Sequence, residues 1–411
     1  MIETKNKRDR KRLESIAVHA GKGKRDQYGS HTTPIYQTST FVFENVESGA
    51  KAFRNEEGGA SHVYSRIANP TVEELERAVC ALETFGLDDA DEYSGMAFGS
   101  GMAAITTGIL SVAHGKHIIA QDALYGCTSQ FLKEEAEPMG MTVSFVDTSD
   151  LFLVEMELKQ NPDTRLIILE SIANPTLTLS DIEGIAKLAA AYDALVMVDN
   201  TFATPYHIQP LELGADIVAH STTKYMGGHG SIIGGALVAK DELFENEETW
   251  VFRKNLGGIA GPMDAWLTTN GIKTLPLRMK QHAANGMKVA RYLEQHPKID
   301  KVFYPGLETH PQHKLASAVM KQGYGGMISF ELSSGFEGGV TLMNNVQLCT
   351  LAVSLGAVDS LIQHPASMTH SVVDPEIKEK AGITDGLVRL SAGIEAAEDI
   401  IEDLEQALEK C

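Results

Sequence analysis

The chain has 411 residues, 43% of them hydrophobic and 22% charged, an ordinary globular balance with room for a large core in roughly two or three domains. Its formal charge of −20 excludes nucleic acid as the main partner, because phosphate backbones demand clustered Lys and Arg. No run approaches the ~20 apolar residues of a membrane helix, so no membrane partner is expected.

The N-terminal segment has no apolar core of a signal peptide, and its basic cluster, "KNKRDRKR" at 5–12, reads as a solvated tail. Cys80, Cys127, Cys349 and Cys411 lie far apart and form no CxxC, which argues against a disulfide scaffold or zinc ribbon and makes the cytoplasm the default location. Residues 1–68 show no core pattern and are expected to form an arm that packs on something else. A large domain is expected over 69–262. It opens with "NPTVEELERAVCALETF", which sets Val72, Leu75, Val79, Leu82 and Phe85 on one helical stripe behind Pro70. "MAFGSGMAAITTGIL" then reads as strand, glycine turn and helix.

Short apolar runs follow at 117–122, 143–148, 166–171, 194–200, 216–221 and 234–240. They do not alternate with polar residues, so they read as strands buried on both faces. Between two of them, "SDIEGIAKLAAAYD" places Ser180 and Glu183 at capping-box spacing before an amphipathic helix. The repetition predicts an α/β fold with a mostly parallel sheet covered by helices. Over 263–411 longer helical segments precede shorter strand candidates such as "GGMISFELSS". The chain closes on a stripe of Ile400, Ile401, Leu404 and Leu408, and a smaller C-terminal α/β domain is expected.

In parallel α/β sheets, ligands bind beyond the carboxyl ends of the strands. "VMVDN" ends in Asp199, "LIILESIANP" delivers Asn174, and the turn Gly99, Ser100, Gly101, Met102 opens a helix whose N–H groups suit an anion. That turn lacks the full dinucleotide fingerprint and any GKS or GKT. "AHSTTKYMGGHG" surrounds Lys224 with Ser221, Thr222, Thr223 and a glycine-rich run, and "DALYGCT" offers the aromatic Tyr125. A phosphate site, an acid, a lysine, hydroxyls and a ring face together match what pyridoxal 5'-phosphate (PLP) requires. "HGKH" (His114, His117) and the pair His364 and His370 have no accompanying carboxylate or cysteine cluster, so no metal is expected.

The chain resembles the cystathionine γ-synthase/methionine γ-lyase family of PLP-dependent fold-type I enzymes over nearly its whole length. The resemblance rests on "PIYQTSTF", "YSRIANPT", "GSGMAAI", "LYGCT", "VDNTFATPY", "LELGADIVAHSTTKYMGGHG", "GIKTLPLRM", "SLIQHPASMTH" and "LVRLSAGIE", in the family's order. It implies that Lys224 forms the imine with the cofactor, Asp199 pairs with the pyridine nitrogen, and Tyr125 stacks on the ring. Ser221, Thr223 and the backbone of Gly101 and Met102 would hold the phosphate, and Asn174 would contact the ring hydroxyl. Arg389, near Ser354, would take the substrate α-carboxylate. Tyr64 and Arg66 would reach across a dimer interface to the neighbour's phosphate, in a homotetramer built from two such dimers.

Within the family, Cys127, where many relatives have glycine, and Val353, where cystathionine-handling members often have glutamate, lean toward γ-elimination of methionine and homocysteine to 2-oxobutyrate, ammonia and a thiol. On this reading Lys224 carries the Cα and Cβ protons, Tyr125 serves as acid or base, and Cys127 shapes the pocket. The alternatives are a cystathionine γ-lyase, a cystathionine γ-synthase, an O-acetylhomoserine sulfhydrylase, or a catalytically silent binding protein. Departures from the family pattern are Asn255, Ser231, Asn270 and extra residues in "FGLDDADEYSG".

Overall fold

The computed structural model describes residues 11–23, 26, 28–54, 56–246, 248–368 and 382–411. Most of the basic cluster at 5–12, and His370 with the end of "SLIQHPASMTH", lie outside the described residues.

Seven apolar runs form one sheet because none of them carries a polar face to turn toward water. In chain order they are β1 (Tyr93–Phe98), β2 (His117–Gln121), β3 (Thr142–Val146), β4 (Thr164–Glu170), β5 (Leu195–Asp199), β6 (Ile217–His220) and β7 (Gly235–Lys240). Their spatial order is β1-β7-β6-β5-β4-β2-β3. Pairs among β2 to β6 are parallel, whereas β7 runs against both β6 and β1. The connection explains this: a loop joins β6 to β7, without the crossover helix that a parallel pair needs. Because β1 is antiparallel to β7, it points the same way as β2 to β6. The carboxyl ends of β1, β2, β4, β5 and β6 therefore share one edge of the sheet.

Ile118, Ile119, Leu166, Ile167, Val198 and Val218 are fully buried between the sheet and its helices. Each such side chain contributes about 1.5–3 kcal/mol on leaving water. The helix Pro70–Glu83 starts where Asn69 accepts from the Thr71 amide, and it buries Val72, Leu75, Val79 and Leu82. Phe85 lies past its end and is only partly buried against the same core. The helix Ile182–Ala190 is capped by Asp181, which accepts from the Gly184 amide at 3.0 Å, and not by Ser180. The Ser180 hydroxyl is engaged elsewhere, 2.9 Å from that of Thr148.

Residues 11–68 carry two short helices, Leu13–His19 and Val46–Phe53. The first inserts Leu13 and Ala17 into the main core, while Tyr28, Val42, Val46 and Phe53 stand exposed. The extra residues of "FGLDDADEYSG" form a short 3-10 turn, and Lys240 at the end of β7 pairs with Asp89 (2.9 Å) and Glu92 (3.0 Å).

A second sheet contains β8 (Ile299–Phe303), β9 (Met327–Leu332), β10 (Thr350–Leu351), β11 (Leu361–Gln363) and β12 (Leu387–Ser391), in the order β10-β11-β12-β9-β8. It is antiparallel except for the pair β10 and β11. The last helix, Ala397–Leu408, buries Ile400, Leu404 and Leu408 against this sheet. The helix Leu275–Glu294 joins the two layers, with Leu275 and Met279 in the first core and Val289 and Leu293 in the second. Among the described residues, no helix is long and apolar enough to cross a membrane.

Candidate active site

Three turns meet at the carboxyl edge of the large sheet. After β1, Ser100 caps the helix Gly101–Ala113 by accepting from the Ala103 amide at 3.1 Å. The first-turn amides of Gly101 and Met102 have no preceding helical carbonyl and sit at the positive end of the helix dipole. A Cβ on Gly101 would lie 2.7 Å from the Cβ of Ser221. Glycine is thus what lets the β1 turn approach the β6 turn, and it brings the sequence-predicted phosphate ligands together. Thr223 is close by in the chain, its hydroxyl bonded to the Gly234 amide (3.0 Å) and carbonyl (3.2 Å).

Lys224 donates from Nζ to the Ser354 hydroxyl at 2.8 Å. Burial, and then the nearby Arg389 cation, lower the lysine's pKa, which favours the neutral amine that acts as nucleophile or base. Ser354 holds a φ of 109°, strained for a residue with a Cβ, and its carbonyl accepts from Arg389 Nη2 at 2.7 Å. Arg389 lies on β12, and its Nη1 donates to Asn174 Oδ1 at 2.8 Å. Burial pushes the guanidinium down to about 10, so it stays a cation at neutral pH. Lys224, Ser354, Arg389 and Asn174 form one continuous chain of hydrogen bonds across the two sheets. Behind the lysine, Arg278 grips the carbonyls of Tyr225 (2.6 Å) and Gly271 (2.8 Å), a support that sequence reasoning missed.

Asp199 accepts from the Thr201 amide (3.0 Å) and hydroxyl (2.5 Å), and the Thr201 hydroxyl in turn accepts from the Ser221 amide at 2.8 Å. Beside it on the neighbouring strand, in register, stands Glu170. Its two oxygens accept from the amides of Tyr125 (2.6 Å) and Asn174 (3.2 Å). Burial raises the Asp199 carboxyl, against the pull of the Thr201 bonds and of His220. Burial also raises Glu170, with Asp199 adding to the effect. Among the described residues, neither carboxyl forms an ion pair with Lys or Arg. What this pair lacks is a cation, and the protonated ring nitrogen of PLP is one. The glycine cradle and the carboxyls therefore fit that cofactor. Thr201 and Glu170 were not singled out from sequence, although Glu170 closes an apolar strand just as Asp199 does, and the same rule finds it.

Tyr125 is 47% exposed, and the Cys127 thiol donates to its phenol oxygen at 3.5 Å. The neighbouring Cys127 sulfur first, and then burial, disfavour the phenolate and push the phenol up to about 12, so it keeps its proton at neutral pH. The Thr128 hydroxyl reaches Met102 Sδ at 3.6 Å, which ties this loop to the phosphate turn. Among the described residues, Tyr64 and Arg66 share no hydrogen bond with the site residues above. The Arg66 guanidinium is 5.6 Å from the Tyr64 ring centroid, and its Nη1 donates to the Lys254 carbonyl at 2.8 Å. The Lys254 ammonium lies 4.3 Å from the Trp250 ring centroid. Asn270 accepts from Lys273 at 3.2 Å, and nothing in the structure explains Asn255 or Ser231. His117 is held between the hydroxyls of Thr164 and Ser144, and His364 between Ser367 and the Asp385 carbonyl.

A lysine after β6, an acid closing β5 and a helix-start anion cradle after β1 are the marks of a PLP-dependent enzyme of fold type I. The chain belongs to the family of Cys/Met metabolism PLP-dependent enzymes, whose profile it matches over residues 14–409, and its cofactor is PLP. It is 48% identical over 400 residues to an L-methionine gamma-lyase of Fusobacterium nucleatum subsp. polymorphum, covering 97% of this chain and 98% of that protein. To an L-methionine gamma-lyase of Treponema denticola it is 45% identical, covering 98% of this chain and 99% of the relative. The solved structure of a cystathionine gamma-lyase from Lactobacillus plantarum, complexed with L-serine, superposes with a TM-score of 0.88 at 39% identity, covering 97% of this chain and 99% of that one.

Proposed function

We propose that the chain catalyses γ-elimination of L-methionine, and also of homocysteine. Water and methionine become methanethiol, ammonia and 2-oxobutyrate: the Cγ–S bond breaks, the sulfur gains a proton, and water releases the nitrogen. The observation that carries this reading is Ser354, which touches both Lys224 and Arg389 and so joins the candidate base to the candidate carboxylate clamp. When bound, PLP supplies the electron sink that lets Cα and then Cβ lose a proton. Gly101, Met102, Ser221 and Thr223 would hold its phosphate, Asp199 its ring nitrogen, Asn174 its ring hydroxyl and Tyr125 its face.

Lys224, its basicity lowered by burial and Arg389, is suited to carry both protons. Tyr125, protonated at neutral pH, is suited to give one to the departing sulfur. Arg389 spends one N–H on Asn174 and one on Ser354, which leaves three of its five donors for an α-carboxylate fork. Methionine is favoured by the relatives named above and by Val353 beside Ser354, whose apolar side chain suits a small thioether better than a second amino-acid head. The likeness to a cystathionine gamma-lyase makes that activity the second reading. With its lysine, acid, phenol and arginine all present, the chain is poorly suited to a catalytically silent role.

The test ranks kcat/KM for methionine, homocysteine, cystathionine, and O-acetylhomoserine with sulfide. We expect methionine to exceed cystathionine, and Cys127→Gly to lower methionine turnover more than cystathionine turnover. Faster cleavage of cystathionine by the wild type moves the chain to the second reading.

We also propose a homotetramer, a dimer of dimers in which Tyr64 and Arg66 serve the neighbour's site. The exposed side chains of Val42, Val46 and Phe53 in the same arm support an interface there. Four free cysteines suit the reducing cytoplasm, where we place the enzyme.

A further inference from the structure

Besides lying next to Asp199, the carboxyl group of Glu170 touches the backbone of two site residues. Glu170 is 6% exposed at the end of β4. Its own amide is held by Gln121 Oε1, at the end of β2, at 2.8 Å. Oε1 accepts from the Tyr125 amide at 2.6 Å, and Oε2 accepts from the Asn174 amide at 3.2 Å. Tyr125 carries the phenol that Cys127 touches, and Asn174 carries the oxygen that holds Arg389. One side chain therefore spans the loop that carries the Tyr125 phenol and the loop whose Asn174 holds Arg389.

We propose that Glu170 is a positioning residue that sets the spacing between Tyr125 and the Asn174–Arg389 pair by accepting one backbone N–H on each carboxylate oxygen. The choice of residue follows from the donors. Two amides from separate loops need two acceptor oxygens, and among side chains of this length only a carboxyl group carries two. Glutamine would turn an N–H toward one of the amides. Aspartate is one methylene short of spanning both loops. An uncompensated buried carboxylate is costly, so a residue needed only to fill this space would be better served by an apolar one. The proposal deepens the reading given under Proposed function, and it rests on that reading only where the two loops are assigned to chemistry.

The test has two arms. In the wild-type apoprotein, hydrogen exchange should find the Tyr125 and Asn174 amides about a hundredfold slower than those of Gly126 and Cys127, which lie in the first turn of a helix without preceding carbonyls. This arm needs neither turnover nor cofactor, so it stands whether or not the chain cleaves methionine. In the second arm, Glu170→Gln holoenzyme binds L-norleucine, the carbon isostere of methionine, and the cofactor's visible circular dichroism is recorded. We expect cofactor to be retained, the dichroism to change, and the norleucine Kd to rise about tenfold, with Glu170→Asp in between. Wild-type dichroism and norleucine affinity in Glu170→Gln overturn the proposal. So does exchange at Tyr125 and Asn174 as fast as at Gly126, which decides the matter if the variant does not fold.

Discussion

Lys224→Ala is expected to lower methionine elimination by about ten-thousand-fold while leaving the fold intact. On the proposed mechanism the lysine is the base for two successive proton transfers, and among the described residues no second basic side chain touches Ser354 Oγ, its partner. Stability should hardly change. Burial and Arg389 both disfavour the ammonium, so removing it relieves an electrostatic cost and takes away one hydrogen bond. The unfolding midpoint should stay within about 3 °C of the wild type, and the visible band of the holoenzyme should vanish. A variant that keeps both the band and the rate removes Lys224 from the chemistry.

Arg66→Ala is expected to be nearly inactive as well, and the way it combines with Lys224→Ala reveals which chain it serves. Arg66 suits a phosphate dianion, since its planar fork gives two parallel N–H bonds. Among the described residues of its own chain it reaches the Lys254 carbonyl and the Tyr64 ring. If it serves the neighbour, a mixed dimer has one site with Lys224 and Arg66 both intact and one with neither. Random pairing makes about half of the dimers mixed, with one working site in two, so co-expression should restore about a quarter of wild-type activity. An exposed arginine in a surface ion pair would contribute little and would leave the single variant active. Mixed dimers, verified by differential tags, that stay as inactive as the parents place Arg66 in its own chain's site or in none.

The large sheet was legible because strands buried on both faces leave unbroken apolar runs. The run at 117–122 exceeds β2 by one residue at its carboxyl end, and the run at 216–221 exceeds β6 by one residue at each end. The direction of β7 was less visible, since its composition matches that of the parallel strands. Its one signal is the absence of a helical pattern between Ser221 and Gly234. The second sheet was dim for another reason: β10 has two residues and β11 three, too few for any period to show. In the candidate site, Lys224, Asp199 and Tyr125 stand out in the sequence because they sit at strand ends or beside glycine turns, where ligands bind in α/β sheets. Arg278 could not, because the carbonyls it holds are 53 and 7 residues away in sequence, and only the fold brings them together. Ser180 has the spacing of a helix cap, but spacing alone does not show the tertiary bond to Thr148 that claims its hydroxyl.

The most direct measurement incubates the wild-type holoenzyme with L-methionine and counts the products. The structure and its relatives predict 2-oxobutyrate, ammonia and methanethiol released in equal amounts, with none formed by Lys224→Ala. Failure to release 2-oxobutyrate from methionine, with the cofactor's visible band present, would contradict the assignment.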